Sequence, residues 1–422
     1  MSNDTLSINS PEFLHKSAKP GWLDGMARRI VLSKLERLQS GEITIVEKDR
    51  TQTFGCADHA CPLAVTLTVK SPAFYGDVAF GGALGGGEAY IQDYWEASDL
   101  VALGRILLRN REVLDRMNEG AAVLARPLQR AFHWLNRNTR SGSRRNIAAH
   151  YDLGNDFYAL WLDPEMMYSC AWYEHESTTL EAAAVAKLDR ICRRLALKSG
   201  DRVVEIGTGW GGFALHAARH YGCHVTSTTI SGQQYEYARE RVARAGLGDR
   251  VTLLQEDYRD LEGQFDKLVS IEMIEAVGHE YLDTYFQKCA SLLKQDGELL
   301  IQAITIADQR YESARRHVDF IKRYVFPGGF LPSVTAMTSA MTRKTDLRAI
   351  HIEDIGLHYA RTLRDWRERF FSRIEDIRQQ GFTDEFIRLW DYYLTYCESA
   401  FLERAIGDVH LHAIKPQARP AI

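Results

Sequence analysis

Residues 201–222 read DRVVEIGTGWGGFALHAARHYG, and the fold turns on them. DRVVEIG is a short apolar run that suits a strand buried on both faces. The glycines that follow make a tight turn, and GGFALHAARHYG continues as a helix. Downstream the alternation repeats. CHVTST (223–228) is a strand and SGQQYEYARERVARAG (231–246) a helix. VTLLQEDY (251–258), DKLVSIE (266–272) and GELLIQAI (297–304) are further strands. LRAIHIED (347–354) and GDVHLHAI (407–414) close the series, with helices expected over 362–378 and 384–405. Strands alternating with helices predict an α/β domain with a mainly parallel sheet covered on both faces.

The turn itself, Glu205-Ile206-Gly207-Thr208-Gly209-Trp210-Gly211-Gly212, has the spacing E-x-G-x-G-x-G rather than that of a pyrophosphate-binding loop. Glycines let a ligand approach the backbone, and the helix start offers free N–H groups. An acidic residue two places before the first glycine suits a ligand with a cationic amine. S-adenosylmethionine, with an α-amine and a sulfonium, is such a ligand. No carboxylate ends the second strand to hold ribose hydroxyls, but Thr229 and Gln234 offer hydrogen bonds there, with Ile230 between them. After the third strand, Asp257 offers an acceptor to an adenine amino group and Tyr258 an apolar face.

Upstream, residues 26–40 read as an amphipathic helix. GEITIVEKD, TQTFGCA, LAVTLTVKS and YGDVAFGG read as short antiparallel strands, punctuated by the Gly81–Gly87 cluster as an exposed loop. SDLVALGRILLRN opens on a Ser/Asp cap as a helix. The expected organisation is an α+β domain over 1–118, a basic linker over 119–149, and the α/β domain over 150–422 with an inserted lid at about 306–345. The linker carries Arg126, Arg130, Arg137, Arg140, Arg144 and Arg145 around Phe132, Trp134 and Leu135. It is either a solvated segment or one that touches anionic lipid headgroups.

The chain of 422 residues has a net charge of −4, which argues against a nucleic-acid partner. No signal peptide and no apolar run long enough to span a bilayer is apparent. Seven scattered cysteines without a C-x-x-C pair suit a reducing cytoplasm and predict no metal site.

Several segments together resemble the cyclopropane fatty acid synthases, a family that includes the mycolic acid cyclopropane synthases. They are HYDLGNDFYALWLDPEMMYSCAWYE (150–174), VVEIGTGWGGFA (203–214), TTISGQQ (228–234), EDYRDL (256–261), IEMIEAVGHEYLDTYF (271–286), YVFPGGFLPS (324–333) and GLHYARTLRDWRERF (356–370). The resemblance implies the seven-stranded Rossmann-like class I methyltransferase fold. It implies S-adenosylmethionine as methyl donor, with Tyr168 and Ser169 joining Glu205, Gly207 and Gly209 at the cofactor. It also implies transfer to the cis double bond of unsaturated phospholipid acyl chains, giving cyclopropane fatty acids, by a cytoplasmic enzyme transiently associated with the inner membrane face. A homodimer and a lipid-holding N-terminal domain are further implied.

Attack by an alkene leaves a carbocation on the acyl chain. Aromatic faces stabilise such a cation, and Tyr151, Phe157, Tyr158, Trp161, Tyr168, Trp172 and Tyr173 are candidates, although each singly suits core packing. The family resemblance implies a bound bicarbonate as proton acceptor. Its pocket would comprise the backbones of Cys170 and Ile304, the Tyr359 hydroxyl, and Glu275 sharing a proton with the anion. Two positions depart from the family: Gln302 stands in place of a His, and Ala276 follows Glu275. Gln302 donates a hydrogen bond but carries no charge and shuttles no proton. The alternatives are therefore a methyl- or methylene-branched product, a non-catalytic lipid-binding relative, or a small-molecule methyltransferase. In the lid, Phe326, Phe330 and Leu331 are expected either to dip into lipid or to pack as a buried loop.

Overall fold

The computed structural model describes residues 22–118 and 153–420. The basic linker and Tyr151 lie outside the described residues. The N-terminal part runs α1 (Trp22–Leu35), β1 (Gly41–Glu47), β2 (Arg50–Cys56), β3 (Ala64–Val69), α2 (Ala73–Ile91), β4 (Trp95–Ala97), α3 (Leu100–Arg109) and α4 (Arg111–Asn118). In β1 the alternation GEITIVE turns Ile43 and Ile45 into the core. Asp99 caps α3 by accepting from the Ala102 amide at 2.9 Å.

Two expectations fail in this part. The sheet, of order β2-β1-β3-β4, is mixed: β1 pairs antiparallel with β2 but parallel with β3. YGDVAFGG (75–82), expected as a strand, and the Gly81–Gly87 cluster, expected as an exposed loop, both lie in helix α2, which has a kink at Gly82. Glycine costs a helix about 1 kcal/mol per residue relative to alanine, yet α2 buries Phe74, Tyr75, Val78, Tyr90 and Ile91. Close packing explains one of the glycines. A Cβ on Gly87 would lie 2.8 Å from the Tyr392 ring and 2.9 Å from that of Phe320, both in the second part of the chain.

The second part runs α5 (Asn155–Ala159), α6 (Leu180–Arg194), β5 (Arg202–Ile206), α7 (Gly212–His216), β6 (His224–Thr228), α8 (Gly232–Ala245), β7 (Val251–Leu254), β8 (Phe265–Ile271), α9 (Leu282–Leu292), β9 (Leu293–Ile306), α10 (Asp308–Ala314), α11 (Val334–Lys344), β10 (Arg348–Asp354), α12 (Gly356–Ser372), α13 (Ile374–Gln379), α14 (Asp384–Leu402) and β11 (Ile406–Ile414). Its seven-stranded sheet has the order β10-β11-β9-β8-β5-β6-β7, with β11 antiparallel to both neighbours. β5 and β8 are parallel neighbours, and the order in which strands are added switches from one side of β5 to the other between them, the crevice where open α/β sheets take ligands. The two parts meet along α14. Tyr90 donates to Asp391 at 2.7 Å, Arg105 and Arg109 hold Glu403 at 2.7 and 2.8 Å, and Arg388 reaches the carbonyl of Trp95 at 2.9 Å.

Candidate active site

At the end of β5 the amides of Gly207 and Thr208 both donate to the Thr228 carbonyl at 3.0 Å, which folds the turn against β6. Gly207 has φ +101°, in the left-handed region that favours glycine. Gly209, at φ +52°, faces open space where a Cβ would meet nothing. Glu205 is buried beneath the turn and accepts from the Ser227 hydroxyl at 2.5 Å. Burial pushes its pKa up to about 8. A buried carboxyl beside a hydroxyl, under an open glycine turn, fits a ligand that brings its own cation.

Around it, Thr229 donates to Gln234 at 3.0 Å and accepts from the Ser231 amide. Ile230 follows Thr229 and is half-buried. Asp257 takes two bonds from the Arg259 guanidinium, at 2.8 and 2.5 Å, and Tyr258 packs edge-on against Tyr285. The carboxylate expected to meet an adenine is thus braced by its own loop. Tyr168 shares a hydrogen bond with Tyr393 at 2.9 Å and packs on Trp366. Ser169 accepts from the buried Lys187 ammonium at 2.6 Å.

The centre of the site lies at the ends of β8 and β9, and its organiser is Glu272. Its Oε1 accepts from the Cys170 amide and from Gln302 Nε2, each at 2.7 Å. Its Oε2 accepts from the Tyr359 hydroxyl at 2.7 Å. Glu272 sits at φ +47°, a conformation that costs a non-glycine residue about 1–2 kcal/mol. Glu275 stands apart. Its Oε1 accepts from the Ile304 amide at 2.5 Å, its Oε2 is buried without a partner, and burial followed by repulsion from Glu272 pushes its pKa up to about 8.

The five residues expected around a bicarbonate ion are therefore neighbours, but the pocket is wired differently. Cys170, Gln302 and Tyr359 point their donors at Glu272, and Ile304 at Glu275. The donors that a bicarbonate would need are engaged by a carboxylate of the chain itself, and the residues do not fit that ion as expected. The Cys170 thiol, fully buried with its pKa well above the usual value, is inert packing.

The aromatic candidates divide. Phe157, Tyr158 and Trp161 are fully buried in a core with Trp366, Phe370 and Trp390. Trp172 stacks on Arg190 and His358, and Tyr173 donates to Asp365. Tyr168 alone of the set is neighbour to both Ser169 and the Trp366 face while staying half-buried. The segment after β9 lies between strands, and of its two expected readings, a tip that dips into lipid or a buried loop, Phe330 follows the second. Phe330 is buried in the core and its amide donates to the Glu275 carbonyl at 3.0 Å. Phe326 packs on Tyr168 and Tyr393. The loop roofs the site from within.

Reading the sequence missed four residues. Glu272 lies three before Glu275 at the same strand end. Lys187 is a lysine on the apolar face of α6, among Ala183, Ala184, Leu188 and Ile191. Asp408 and His410 alternate along β11 opposite Ile304 and Gln302. Each broke a local pattern: a charge on an apolar face, or polar residues facing inward on a covered strand. No helix among the described residues is long and apolar enough to cross a membrane, and none of their side chains form a metal-ligand cluster.

Strand order, glycine turn and buried carboxyl define a class I S-adenosylmethionine-dependent methyltransferase. The family model "Mycolic acid cyclopropane synthetase" matches residues 138–411, and the chain belongs to that family. It is 38% identical over 369 residues to "Tuberculostearic acid methyltransferase UfaA1" of Mycobacterium tuberculosis, covering 85% of this chain and 84% of that protein. It is 37% identical to the "Cyclopropane-fatty-acyl-phospholipid synthase" of Escherichia coli, covering 81% and 85%. Among solved structures, the mycolic acid cyclopropane synthase CmaA1 complexed with SAH and CTAB aligns with a TM-score of 0.61 and 29% identity, covering 64% of this chain and 98% of that one.

Proposed function

We propose that the protein methylates a carbon of the cis double bond in unsaturated phospholipid acyl chains, with Glu272 taking the role of the anion that such sites otherwise bind. S-adenosylmethionine, when bound, supplies an electrophilic methyl. The chain's residues supply its seat: Glu205 for the α-amine, the backbone of Gly207 and Gly209 for close approach, and Tyr168 and Ser169 beside them. Thr229, Ile230 and Gln234 lie where a ribose would reach, and Asp257 and Tyr258 where an adenine would.

The observation that carries the reading is the triple hydrogen bonding of Glu272. Burial raises the Glu272 pKa, and the field of Lys187 and the three donors oppose that rise in favour of the ionised form. A carboxylate so placed stabilises positive charge on the acyl chain and can accept a proton from the transferred methyl. Those same donors weaken it as a base, because each bond to the anion is partly lost on protonation. A weaker base lengthens the cation's life and allows a hydride shift before proton loss. Loss of a methyl proton after the shift leaves a methylene branch instead of a ring, while a saturated methyl branch needs a separate hydride donor in a later step; the likeness to a tuberculostearic acid methyltransferase supports branching. Cyclopropane formation is the second reading, favoured by the shell of Cys170, Glu275, Ile304 and Tyr359 and by the likeness to the E. coli synthase.

Access to bilayer lipid would come from transient contact with the membrane surface. The N-terminal part would hold lipid or a second copy of the chain. The test is expression in a host deleted for its own synthase, with mass spectrometry of phospholipid acyl chains. A one-carbon increase with a branch or retained unsaturation supports the first reading, and ring fragmentation the second. Unchanged acyl chains would remove both.

A further inference from the structure

The inner face of β11 carries Asp408 against the site, fully buried and opposite Ile304 of β9. Its Oδ2 accepts from Gln302 Nε2 at 3.0 Å. The same nitrogen bonds Glu272 at 2.7 Å, so the two amide hydrogens serve the two carboxyls. The other end of Gln302 is fixed too, because its Oε1 lies 3.1 Å from His410 Nε2. The Asp408 Oδ1 is buried with no donor bonded to it. The Glu272 carboxylate lies beside the Asp408 carboxyl, and the two share the Gln302 amide nitrogen.

We propose that Asp408 is a positioning residue that stays protonated, donates its O–H to Glu272, and with Gln302 holds Glu272 as the single ionised carboxylate of the site. The proposal rests on the role given to Glu272 above.

Two carboxyls in hydrogen-bonding contact need one proton between them. The surroundings decide where it sits. Glu272 has three donors and Lys187, whereas Asp408 has one amide hydrogen and faces Glu272 and Glu275. The groups around the pair are Glu275 after β8, Lys187 from α6, Cys170 before it, Tyr359 from α12 and His410 on β11, with Arg190, Arg194 and Glu353 beyond His410. Burial keeps His410 neutral and Glu275 protonated at neutral pH. The buried Lys187 ammonium, whose own pKa burial lowers, already faces Glu272 and Asp163, so a further anion at Asp408 would stand uncompensated. Protonation also turns the orphaned Asp408 oxygen into a satisfied donor.

The test compares Asp408→Leu with Asp408→Asn, whose amide can copy a protonated carboxyl. S-adenosylmethionine binding by calorimetry checks that each variant folds. Asp408→Leu should lower turnover about tenfold and move the acid limb of the kcat/KM pH profile up by about one unit. Asp408→Asn should recover most of that loss and return the limb to its wild-type place. In infrared spectra at neutral pH, the carbonyl band of a buried carboxylic acid should weaken in Asp408→Asn. A limb that drops by a unit or more in Asp408→Asn, or an unchanged band, would show that Asp408 is ionised and overturn the proposal. A Leu variant with a wild-type profile would also overturn it. If Asp408→Leu does not fold, the Asn profile and the infrared band decide. Failure of the Glu272 reading is separate: it would appear as unimpaired turnover in Glu272→Gln, whereas the infrared band reads Asp408 directly.

Discussion

Tyr359 donates its phenolic hydrogen to Oε2 of Glu272 at 2.7 Å, tying α12 to the residue that follows β8. The bond crosses 87 positions of sequence and fixes the orientation of a carboxylate in left-handed backbone. A hydrogen bond to a charged group contributes about 1.5–3 kcal/mol. Tyr359→Phe should therefore lower kcat by roughly 10–100-fold. Calorimetry should find S-adenosylmethionine affinity unchanged, because the phenol faces Glu272 and not the glycine turn.

Glu205 gives a proton-linkage prediction. With its pKa near 8 it is mainly protonated at pH 7 in the free protein. A cationic amine seated beside it favours the carboxylate, so binding at pH 7 should release up to about one proton. Calorimetry in buffers of different ionisation enthalpy measures this, and Glu205→Gln should abolish the release while weakening binding. For stability the sign is opposite to the usual carboxylate case. The folded pKa is raised, so the folded state binds the extra proton between about 4.5 and 8. Apoprotein stability from this group is then lost as pH rises through that window.

Burial raises the Glu272 pKa and Lys187 opposes that rise from a distance, while its ammonium touches Ser169 directly. Lys187→Met should move the acid limb of the pH–rate profile upward, since Glu272 loses its opposing charge. The shift is read from kcat/KM between pH 5 and 9; a limb that stays put would place the compensating charge elsewhere.

Gly87 lets α2 approach Tyr392 and Phe320. Gly87→Leu should destabilise by about 1–3 kcal/mol through overpacking, seen as a lowered thermal midpoint. Turnover on vesicle substrate should fall further than S-adenosylmethionine affinity, because the change lies at the junction of the two parts.

The parallel sheet was legible because β5 and β9 are near-continuous apolar runs and the E-x-G-x-G turn marks the switch between strand and helix. The late returning strand β11 was legible, but its antiparallel pairing was not read from the sequence. The mixed N-terminal sheet was not, since β1 and β3 carry the same alternation whichever way they pair. Helix α2 was misread because its glycines look like punctuation until Tyr392 and Phe320 are seen against them. At the site, resemblance named Cys170, Gln302, Ile304 and Tyr359, which the fold sets around Glu272 and Glu275. It assigned the central anion to a bound ion, whereas the donors of Cys170, Gln302 and Tyr359 bond Glu272, three residues before the expected Glu275.

The most direct measurement is turnover of Glu272→Gly with and without added bicarbonate. Glycine relieves the left-handed backbone and leaves the donors of Cys170, Gln302 and Tyr359 facing a vacated space. Loss of a positioned base should lower turnover by about 10²–10⁴-fold. Bicarbonate should restore part of it, while the wild-type enzyme runs equally well with bicarbonate stripped from the buffer. A wild-type enzyme that stops without bicarbonate, or a Glu272→Gly variant that runs normally in its absence, would contradict the account.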